Sequence, residues 1–340
     1  MFKKYEVESH ILTPNRFWLD KIKTEIRIDP LTGDTVRITV PRFPDPPFDT
    51  QNGQYLNAIA ESEKECPFCA DRLDSLTPRF PPEIHPEGRI VHESSILIPN
   101  LFPYDRYSGV AIFSSAHFTE IGNFRPEEYI DAFINIRDYL RNIFASDHDL
   151  RSSAVTQNYL PSSGGTLIHP HLQVNAFSIA PNYLNRLYIA SRNYYIEKSH
   201  SFWEKLIEAE LKAGERVVHK EEGIIWLTPF APRGFLETWA IFEKLSDFRD
   251  AGGYEIVRLA HGILKIQNYY RAMGKNSFNF GIYSIRDTAI SYRMLLRMVA
   301  RTNFYPFARN DQSYFEVILG EGATDKAPEQ IARELKEFFK

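Results

Sequence analysis

The chain of 340 residues is 43% hydrophobic, 14% aromatic and 25% charged, a composition that fits a folded globular protein and excludes a disordered or fibrous one. Its length favours two domains, or one large sheet built from two halves. The formal net charge of −4 gives no long-range attraction for nucleic acid or an anionic membrane, so neither is an expected partner, and a phosphate would have to be bound by a local cluster of donors.

The predicted elements of the first half are strands around one long helix. Residues 29–34 indicate a turn, followed by an alternating strand over residues 35–40 and a Pro-rich exit. Residues 45–86 are polar and Pro-rich and are predicted to be mostly loop. Strands are predicted over residues 90–98 and 109–114, a helix over 125–146, and strands over 153–158 and 172–178.

The second half repeats this order after a helical joint. Residues 182–213 are predicted to be largely helical, and strands are predicted over 223–229 and 237–242. A helix over 254–270, strands over 278–285 and 314–319, and a final helix from about residue 328 follow. The order strand, strand, helix, strand, strand occurs twice, which predicts an α+β fold with two halves, residues 1–180 and 181–340.

The chain has only two cysteines, Cys66 and Cys69, separated by two residues. This spacing suits a metal site or a redox pair better than a structural disulfide framework. A thioredoxin-like pair would open a helix after a strand, whereas this pair lies in a predicted loop. A metal site is therefore the favoured interpretation. No stretch approaches 18 consecutive apolar residues and Met1 is not followed by the apolar run of a signal peptide, so we expect a cytoplasmic protein without a membrane span.

The segment with the most specific chemistry is His169-Pro170-His171-Leu172-Gln173. Strand alternation would direct His169, His171 and Gln173 to one face, where they could act on one ligand. The preceding residues 162–166 (Ser-Ser-Gly-Gly-Thr) form a Gly-rich turn whose N–H groups and hydroxyls could approach a phosphate. An imidazole can attack phosphorus and leave again at neutral pH, and a neutral amide can donate to the nonbridging oxygens, so these residue types meet the chemical requirements of nucleotidyl transfer.

The His-x-His-x-Gln segment resembles the histidine-triad superfamily, specifically its galactose-1-phosphate uridylyltransferase branch, in which Gln stands where the hydrolase branch has a third histidine. Other segments are similar in the same order along the chain: residues 27–33 (Arg-x-Asp-Pro-Leu-Thr-Gly), 66–69 (Cys-Pro-Phe-Cys), 99–103 (Pro-Asn-Leu-Phe-Pro) and 114–117 (Ser-Ser-Ala-His). The resemblance implies two histidine-triad-like halves with antiparallel sheets, the first catalytic and the second without a histidine motif.

The resemblance also implies roles for individual residues. His171 would be the nucleophile, steadied by Gln173, and a backbone carbonyl within the motif would orient its imidazole. The implied zinc ligands are Cys66, Cys69, His117 and His169, a closed structural set. The implied substrate-binding residues are Arg42, Asn100, Asn158, Gly165, Thr166 and Glu316.

Two departures from the family pattern leave the substrate open. Residues 292–298 contain no counterpart of a second His-x-His metal site, and the sugar-contacting stretch over 310–316 is altered. The resemblance implies a nucleotide sugar as donor and either a sugar phosphate or inorganic phosphate as acceptor, the latter as in ADP-glucose phosphorylase. It is also compatible with a homodimer. A nucleotide-binding protein without turnover is the alternative from another class.

Overall fold

A computed structural model describes residues 1–39, 47–286, 288–305 and 310–340. Arg42, one of the predicted substrate-binding residues, lies outside the described residues. Within them, two sheets are built from strands β1 (Lys3–Leu12), β2 (Leu19–Ile28), β3 (Thr35–Ile38), β4 (Ile90–His92), β5 (Ser95–Pro99), β6 (Tyr107–Ile112), β7 (Ser152–Tyr159), β8 (His171–Phe177), β9 (Val217–Glu221), β10 (Ile224–Leu227), β11 (Phe235–Phe242), β12 (Phe278–Ile285), β13 (Leu295–Ala300) and β14 (Gly322–Thr324).

The α-helices surround these sheets. They are α1 (Gly53–Glu63), α2 (Leu73–Leu76), α3 (Pro126–Ser146), α4 (Asn182–Lys198), α5 (Phe202–Ala213), α6 (Gly253–Ala272), α7 (Tyr314–Val317) and α8 (Pro328–Leu335). Pro126 suits the first turn of α3, where its missing N–H leaves no broken bond. None of the helices in the described part of the chain is both long and apolar enough to cross a membrane.

The main sheet is antiparallel and has ten strands in the order β4-β5-β6-β8-β7-β12-β13-β11-β10-β9. Followed from its outer edge, each half has the same spatial order of strands, β4-β5-β6-β8-β7 in the first and β9-β10-β11-β13-β12 in the second. Along the chain, α3 lies between β6 and β7 and α6 lies between β11 and β12, which are equivalent places in the two halves. The halves join where β7 pairs with β12. The predicted α+β class with antiparallel sheets is confirmed, although each half has three strands rather than two before its helix.

The two faces of this sheet are covered differently. Helices α3 and α6 pack on one face over the largest core cluster, which includes Leu172, Val174 and Ala176 of β8. Because side chains alternate along a strand, His171, Gln173 and Asn175 of β8 face the other side. There, α4 and α5 cover the strands of the second half, and the loop around Phe68 covers part of β5 and β6. Between these two covers, Thr156, Asn158 and Gln173 stay partly exposed, and this part of the sheet face is called the cleft below.

A smaller sheet has the order β1-β2-β3-β14, with β14 parallel to β3. Strands β1 and β2 form a long hairpin that the sequence analysis did not predict. Helix α1 was also missed, within a stretch predicted to be mostly loop. It follows Asn52, an N-cap whose side chain accepts hydrogen bonds from two backbone N–H groups in the first turn. The predicted strand over residues 90–98 is two strands, β4 and β5, joined by a tight turn.

The predicted strand over residues 314–319 is wrong. The segment contains the short helix α7, which begins after Ser313. The Ser313 side chain accepts from the backbone N–H of Phe315, and the Glu316 carboxylate accepts from the backbone N–H and hydroxyl of Ser313. This reciprocal capping satisfies the exposed N–H groups at the helix start, so capping chemistry outweighs the β-propensity of the segment.

Candidate active site

Four side chains converge beside the cleft, from a loop, a turn and the segment preceding β8. Cys66, Cys69, His117 and His169 are all buried, and their ligand atoms lie within 4.8 Å of one another. The Cys66 Sγ is 3.7 Å from Nδ1 of His169, and the Cys69 Sγ is 3.5 Å from Nδ1 of His117 and 3.8 Å from Nδ1 of His169. The structure thus brings together all four residues that the resemblance implies as metal ligands.

These distances fit a tetrahedral metal ion. With metal–sulfur bonds of about 2.3 Å and metal–nitrogen bonds of about 2.0–2.1 Å, sulfur and nitrogen at the corners of a tetrahedron are about 3.6 Å apart. The outer nitrogens of both imidazoles are also engaged. Nε2 of His169 donates to the Ser114 carbonyl over 2.8 Å, and Nε2 of His117 is 2.8 Å from the Ser62 hydroxyl. The bond to a carbonyl requires the proton of His169 on Nε2, which leaves the Nδ1 lone pair directed at the metal position.

Burial adjusts the charges of this cluster. It raises the pKa of the Cys66 thiol to about 11, so a thiolate at this position requires a compensating positive charge, which a divalent cation would supply. Burial lowers the pKa of His169 to about 4, and that imidazole is therefore neutral and able to ligate at physiological pH. The donor set and its protonation states suit a structural metal ion, with four protein ligands and no open coordination position.

His171 begins β8, two residues beyond His169. Its Nδ1 donates to the backbone carbonyl of His169 over 2.7 Å, which fixes the tautomer and leaves the Nε2 lone pair free. Burial lowers the pKa of His171, outweighing the opposing effect of that hydrogen bond, so the ring is neutral at pH 7. The ring of Phe68, from the cysteine loop, packs edge-on against the imidazole with 5.4 Å between ring centroids. The cluster therefore holds both the carbonyl and the aromatic ring that orient His171.

The floor of the cleft is a row of residues across neighbouring strands. Gln173 of β8 lies opposite Thr156 of β7, Thr156 opposite Gly281 of β12, and Gly281 opposite Arg297 of β13. Gln173 and Thr156 are partly exposed, so their polar groups can reach a ligand in the cleft. Arg297 pairs with the buried Glu237 over 2.8 Å, and this carboxylate raises the pKa of Arg297 even though burial opposes the charge.

The turn between β7 and β8 approaches the same edge of the sheet. Gly165 has no room for a side chain, because an added Cβ would lie 3.0 Å from the Asn158 carbonyl oxygen and 3.2 Å from that of Leu160. Leu160 has a φ of 70°, an unfavourable conformation for a branched residue that the packing around it must impose. The predicted phosphate residue Thr166 is exposed at the end of this turn. Such close backbone approach and strain are common where a loop is shaped for a ligand.

Asn158 is the second-last residue of β7 and lies on the cleft face. When the β7–β8 register is continued by two residues, Asn158 lies opposite His171, which corresponds to one strand spacing of about 4.8 Å between their backbones. Asn100 follows β5 at the other end of the strands, roughly 13 Å along the sheet from the level of His171. Its side chain accepts from the Phe102 N–H, an ordinary turn contact. The continued register thus puts Asn158 beside the predicted nucleophile, whereas Asn100 lies well away from it.

Glu316 lines a cavity of about 650 Å³ between the β1–β2 hairpin and the segment after β13. Arg37, Arg301 and Lys326 contribute positive charge to its wall, and Asp311 and Glu316 contribute carboxylates. The cavity is large enough for a small ligand and carries groups for both phosphate and hydroxyl oxygens. The Glu316 carboxylate also caps α7, and its contact with a substrate stays a prediction.

The sequence analysis did not single out Asn279 and Arg301, which connect this cavity to Asn158 of β7. Asn279 of β12 bonds Asn158 over 2.6 Å, and Arg301, just beyond β13, bonds both Asn279 and Asp311. The alternation Phe-Asn-Phe in β12 could have indicated that Asn279 faces away from the core. Nothing local to Arg301 could have indicated its partners, because they come from different parts of the fold.

No family model matches the chain. An uncharacterized protein from Archaeoglobus fulgidus is 30% identical over 316 residues, covering 93% of this chain and 92% of that protein. Among solved structures, a GalT-like protein from Arabidopsis thaliana has a TM-score of 0.69 at 19% identity, with 92% of this chain and 98% of that chain covered.

Two further structures have similar scores. An ADP-glucose phosphorylase from Arabidopsis thaliana with bound ADP-glucose has a TM-score of 0.70 at 19% identity, over 92% of this chain and 99% of that one. A uridylyltransferase has a TM-score of 0.64 at 16% identity, over 92% and 98%. The fold that the resemblance predicted is therefore confirmed. The chain belongs to the same family as the Archaeoglobus fulgidus protein and has the fold of the GalT-like proteins.

Proposed function

We propose that this protein is a nucleotidyltransferase that moves a nucleoside monophosphate from a nucleoside diphosphate sugar to a sugar 1-phosphate through a covalent adduct on His171. The observation that carries the proposal is the hydrogen bond from Nδ1 of His171 to the His169 carbonyl. It leaves a neutral imidazole with its Nε2 lone pair free at the edge of a polar cleft, as a nitrogen nucleophile requires. The fold shared with uridylyltransferases and an ADP-glucose phosphorylase supports the same reaction class.

In the first half-reaction, Nε2 of His171 attacks the α-phosphorus of the donor. A phosphorus–nitrogen bond forms while the bond from that phosphorus to the bridging oxygen breaks, and the sugar 1-phosphate leaves with the bonding electrons. The positive charge that develops on the imidazole is shared with the His169 carbonyl through the Nδ1 proton. Gln173, Thr166 and the N–H groups of the turn over residues 162–166 donate to the nonbridging oxygens, where negative charge increases.

In the second half-reaction, a phosphate oxygen of the acceptor attacks the same phosphorus. The phosphorus–nitrogen bond breaks and its electron pair returns to Nε2, so the free enzyme is regenerated without a strong base. A neutral donor such as Gln173 suits both directions because it stabilises charge without holding the adduct by a full ionic interaction. The polar cavity beside Glu316 supports the proposal that the donor's sugar, which leaves as its 1-phosphate, is bound there.

We further propose that the Cys66, Cys69, His117 and His169 cluster binds zinc. When bound, the ion would supply a rigid, closed tetrahedral anchor and no Lewis acid position. Its contribution to the reaction would be indirect, through the His169 carbonyl and Phe68 that contact His171. A nucleotide sugar is thus the proposed substrate and zinc the proposed resident metal.

The main competing acceptor is inorganic phosphate, which would make the protein a nucleoside diphosphate sugar phosphorylase. The cavity does not separate the two reactions, because phosphorolysis also releases the sugar as its 1-phosphate and needs the same space. What distinguishes them is which compound discharges the adduct. A nucleotide-binding protein without turnover is separated from both by the absence of an adduct.

The test uses UDP-glucose and ADP-glucose, each radiolabelled at the α-phosphate. Purified protein is incubated with each donor, and label on the chain is measured after denaturation. Label that is stable in alkali and lost in acid is expected from at least one donor, because a phosphorus–nitrogen bond has that stability. His171→Asn is the control and should carry none. An unlabelled wild-type chain with both donors would contradict the proposal.

The labelled adduct is then isolated and divided between glucose 1-phosphate, galactose 1-phosphate and inorganic phosphate. Discharge by galactose 1-phosphate at a saturable rate supports transfer between sugars, whereas discharge by glucose 1-phosphate only reverses the first half-reaction and shows that the adduct is competent. Discharge by inorganic phosphate but not by galactose 1-phosphate would replace that acceptor and identify a phosphorylase. The donor that labels the chain identifies the nucleobase.

A further inference from the structure

Three polar side chains connect the nucleophile's edge of the sheet to the cavity beside Glu316. Nη1 of Arg301 donates to Oδ1 of Asn279 over 2.5 Å, and Nδ2 of Asn279 donates to Oδ1 of Asn158 over 2.6 Å. Nε and Nη2 of Arg301 donate to the two carboxylate oxygens of Asp311, each over 2.7 Å. Arg301, Asn279 and Asn158, called the relay below, thus lie on different strands or loops and are joined by directed hydrogen bonds.

The direction of each hydrogen bond in the relay follows from the guanidinium at its Arg301 end. A guanidinium has only donors, so the group of Asn279 that faces Arg301 must be its carbonyl oxygen. The amide NH₂ of Asn279 must then face the other way. There it meets the Ser163 carbonyl at 3.0 Å, which can only accept, as well as Asn158. Both neighbours of Asn279 therefore require the same orientation.

The orientation of the Asn279 amide also determines that of the Asn158 amide. Because Asn279 presents a donor, Asn158 must present its carbonyl oxygen in return, and its own NH₂ group is directed away from Asn279. Among the described residues, no side-chain or backbone acceptor bonds that NH₂ group. Asn158 is partly exposed, and continuing the β7–β8 register by two residues puts it on the cleft face at the level of His171. Two unpaired N–H donors are therefore available beside the nucleophile.

We infer that Arg301 and Asn279 are positioning residues that fix the amide of Asn158 with its NH₂ group toward the nucleotidyl phosphate on His171. The inference rests on the proposed function for the presence of that phosphate. Without the hydrogen bonds from Arg301 and Asn279, the Asn158 amide could rotate and turn its carbonyl oxygen toward the phosphate. The carbonyl oxygen and the phosphate oxygens are all acceptors and would repel each other. Asp311 holds Arg301 in place from the segment that also carries Glu316, so the sugar side of the site supports the phosphate side.

The test separates hydrogen-bond direction from simple structural support. Arg301→Lys keeps a cationic donor beside Asn279 and Asp311. The double variant Arg301→Glu with Asp311→Arg restores an ion pair of opposite sense but gives Asn279 an acceptor instead of a donor. We expect adduct formation in a single turnover to remain within about threefold of wild type for the first variant. We expect it to fall by about 10²-fold or more for the second, the loss typical of one transition-state donor.

Two controls keep the outcome interpretable. Thermal unfolding and zinc content report folding, and both should match wild type in the double variant because the ion pair is retained. Asn158→Asp keeps the acceptor that Asn279 needs but replaces the NH₂ donor with a carboxylate oxygen. It should lose adduct formation at least as severely as the double variant, with donor affinity changed much less than the rate.

The result that would overturn the relay is a well-folded double variant that forms the adduct at the wild-type rate. An equal loss in Arg301→Lys would also contradict it, since the donor direction is preserved there. If the double variant unfolds, Asn158→Asp alone decides, because an active Asn158→Asp removes the need for a directed NH₂ group. Failure of the proposed function gives a different result, because the wild-type protein would then form no adduct at all.

Discussion

Removal of one thiolate from the four-residue cluster tests how much of the active site depends on a metal. Cys66→Ser replaces a buried sulfur, which lies 3.7 Å from Nδ1 of His169, with a hydroxyl on a shorter bond. A hydroxyl is a far weaker ligand for zinc than a thiolate. We expect the variant to lose zinc, and to lose with it the constraint on His169 and on the Phe68 ring beside His171.

The magnitude follows from the number of ligands. Structural zinc sites contribute about 10–16 kcal/mol of binding free energy at pH 7, and an even division over four ligands assigns about 2.5–4 kcal/mol to one thiolate. The zinc affinity should therefore fall by about 10²–10³-fold. Because the ion binds the folded chain, the same free energy is removed from stability when zinc is in excess, and the melting temperature should fall accordingly.

The assay measures zinc per chain by elemental analysis after dialysis, together with thermal unfolding and adduct formation. Wild type should hold about one zinc per chain, and Cys66→Ser well under half of that. Ser62→Ala is the matched control, since it removes only the hydroxyl beside His117 Nε2 and should weaken zinc by about 10-fold. Full zinc retention in Cys66→Ser would mean that the ligands lie elsewhere and would refute the reasoning.

Three further variants probe chemistry and stability. His171→Asn should keep the fold and zinc but abolish transfer, and residual transfer within tenfold of wild type would contradict covalent catalysis by His171. Gln173→Arg should slow both half-reactions by about 10²–10³-fold while donor affinity holds or tightens, because a fixed charge stabilises the bound phosphate more than the transition state; wild-type turnover would refute that role. Burial would raise the pKa of Glu329, but hydrogen bonds from Arg27 and Arg216 outweigh it and lower the pKa from 4.5 to about 2. The resulting stability, up to about 3 kcal/mol, is present above pH 4.5 and is lost as the pH falls toward 2, so Glu329→Gln should unfold more easily at pH 7 and show a smaller loss of stability on acidification than wild type.

The sequence predicted the site where its residues are neighbours along one strand. Alternation in β8 was enough to direct His171 and Gln173 to one face, and the spacing of Cys66 and Cys69 indicated a metal site. The partners of that pair could be assigned only through family resemblance, because His117 and His169 come from distant segments. The resemblance also implied that a backbone carbonyl within the motif orients the His171 imidazole, and the geometry adds that this carbonyl belongs to His169.

Predictions failed where tertiary or capping contacts decide the structure. Residues 314–319 have β-forming side chains, but Ser313 and Glu316 cap a helix there. The strands β1 and β2 carry many charged residues, and their cross-strand ion pairs, such as Lys4 with Glu25 and Lys23 with Glu6, become visible only once the register is known. The Arg301 relay could not be predicted because its members come from β7, β12 and the segment after β13.

The pairing of β7 with β12 has a consequence for how the chain acquires its structure. These strands pair over eight residues, from Phe278 with Tyr159 to Ile285 with Ser152, and the bonded residues Asn279 and Asn158 are 121 positions apart. The pairing of β7 with β12 can form only after most of the chain has left the ribosome, and until then β7 has an unpaired edge. A fragment ending near residue 180 would keep that edge open and should aggregate, whereas co-expression with the remaining residues should restore a soluble, paired complex.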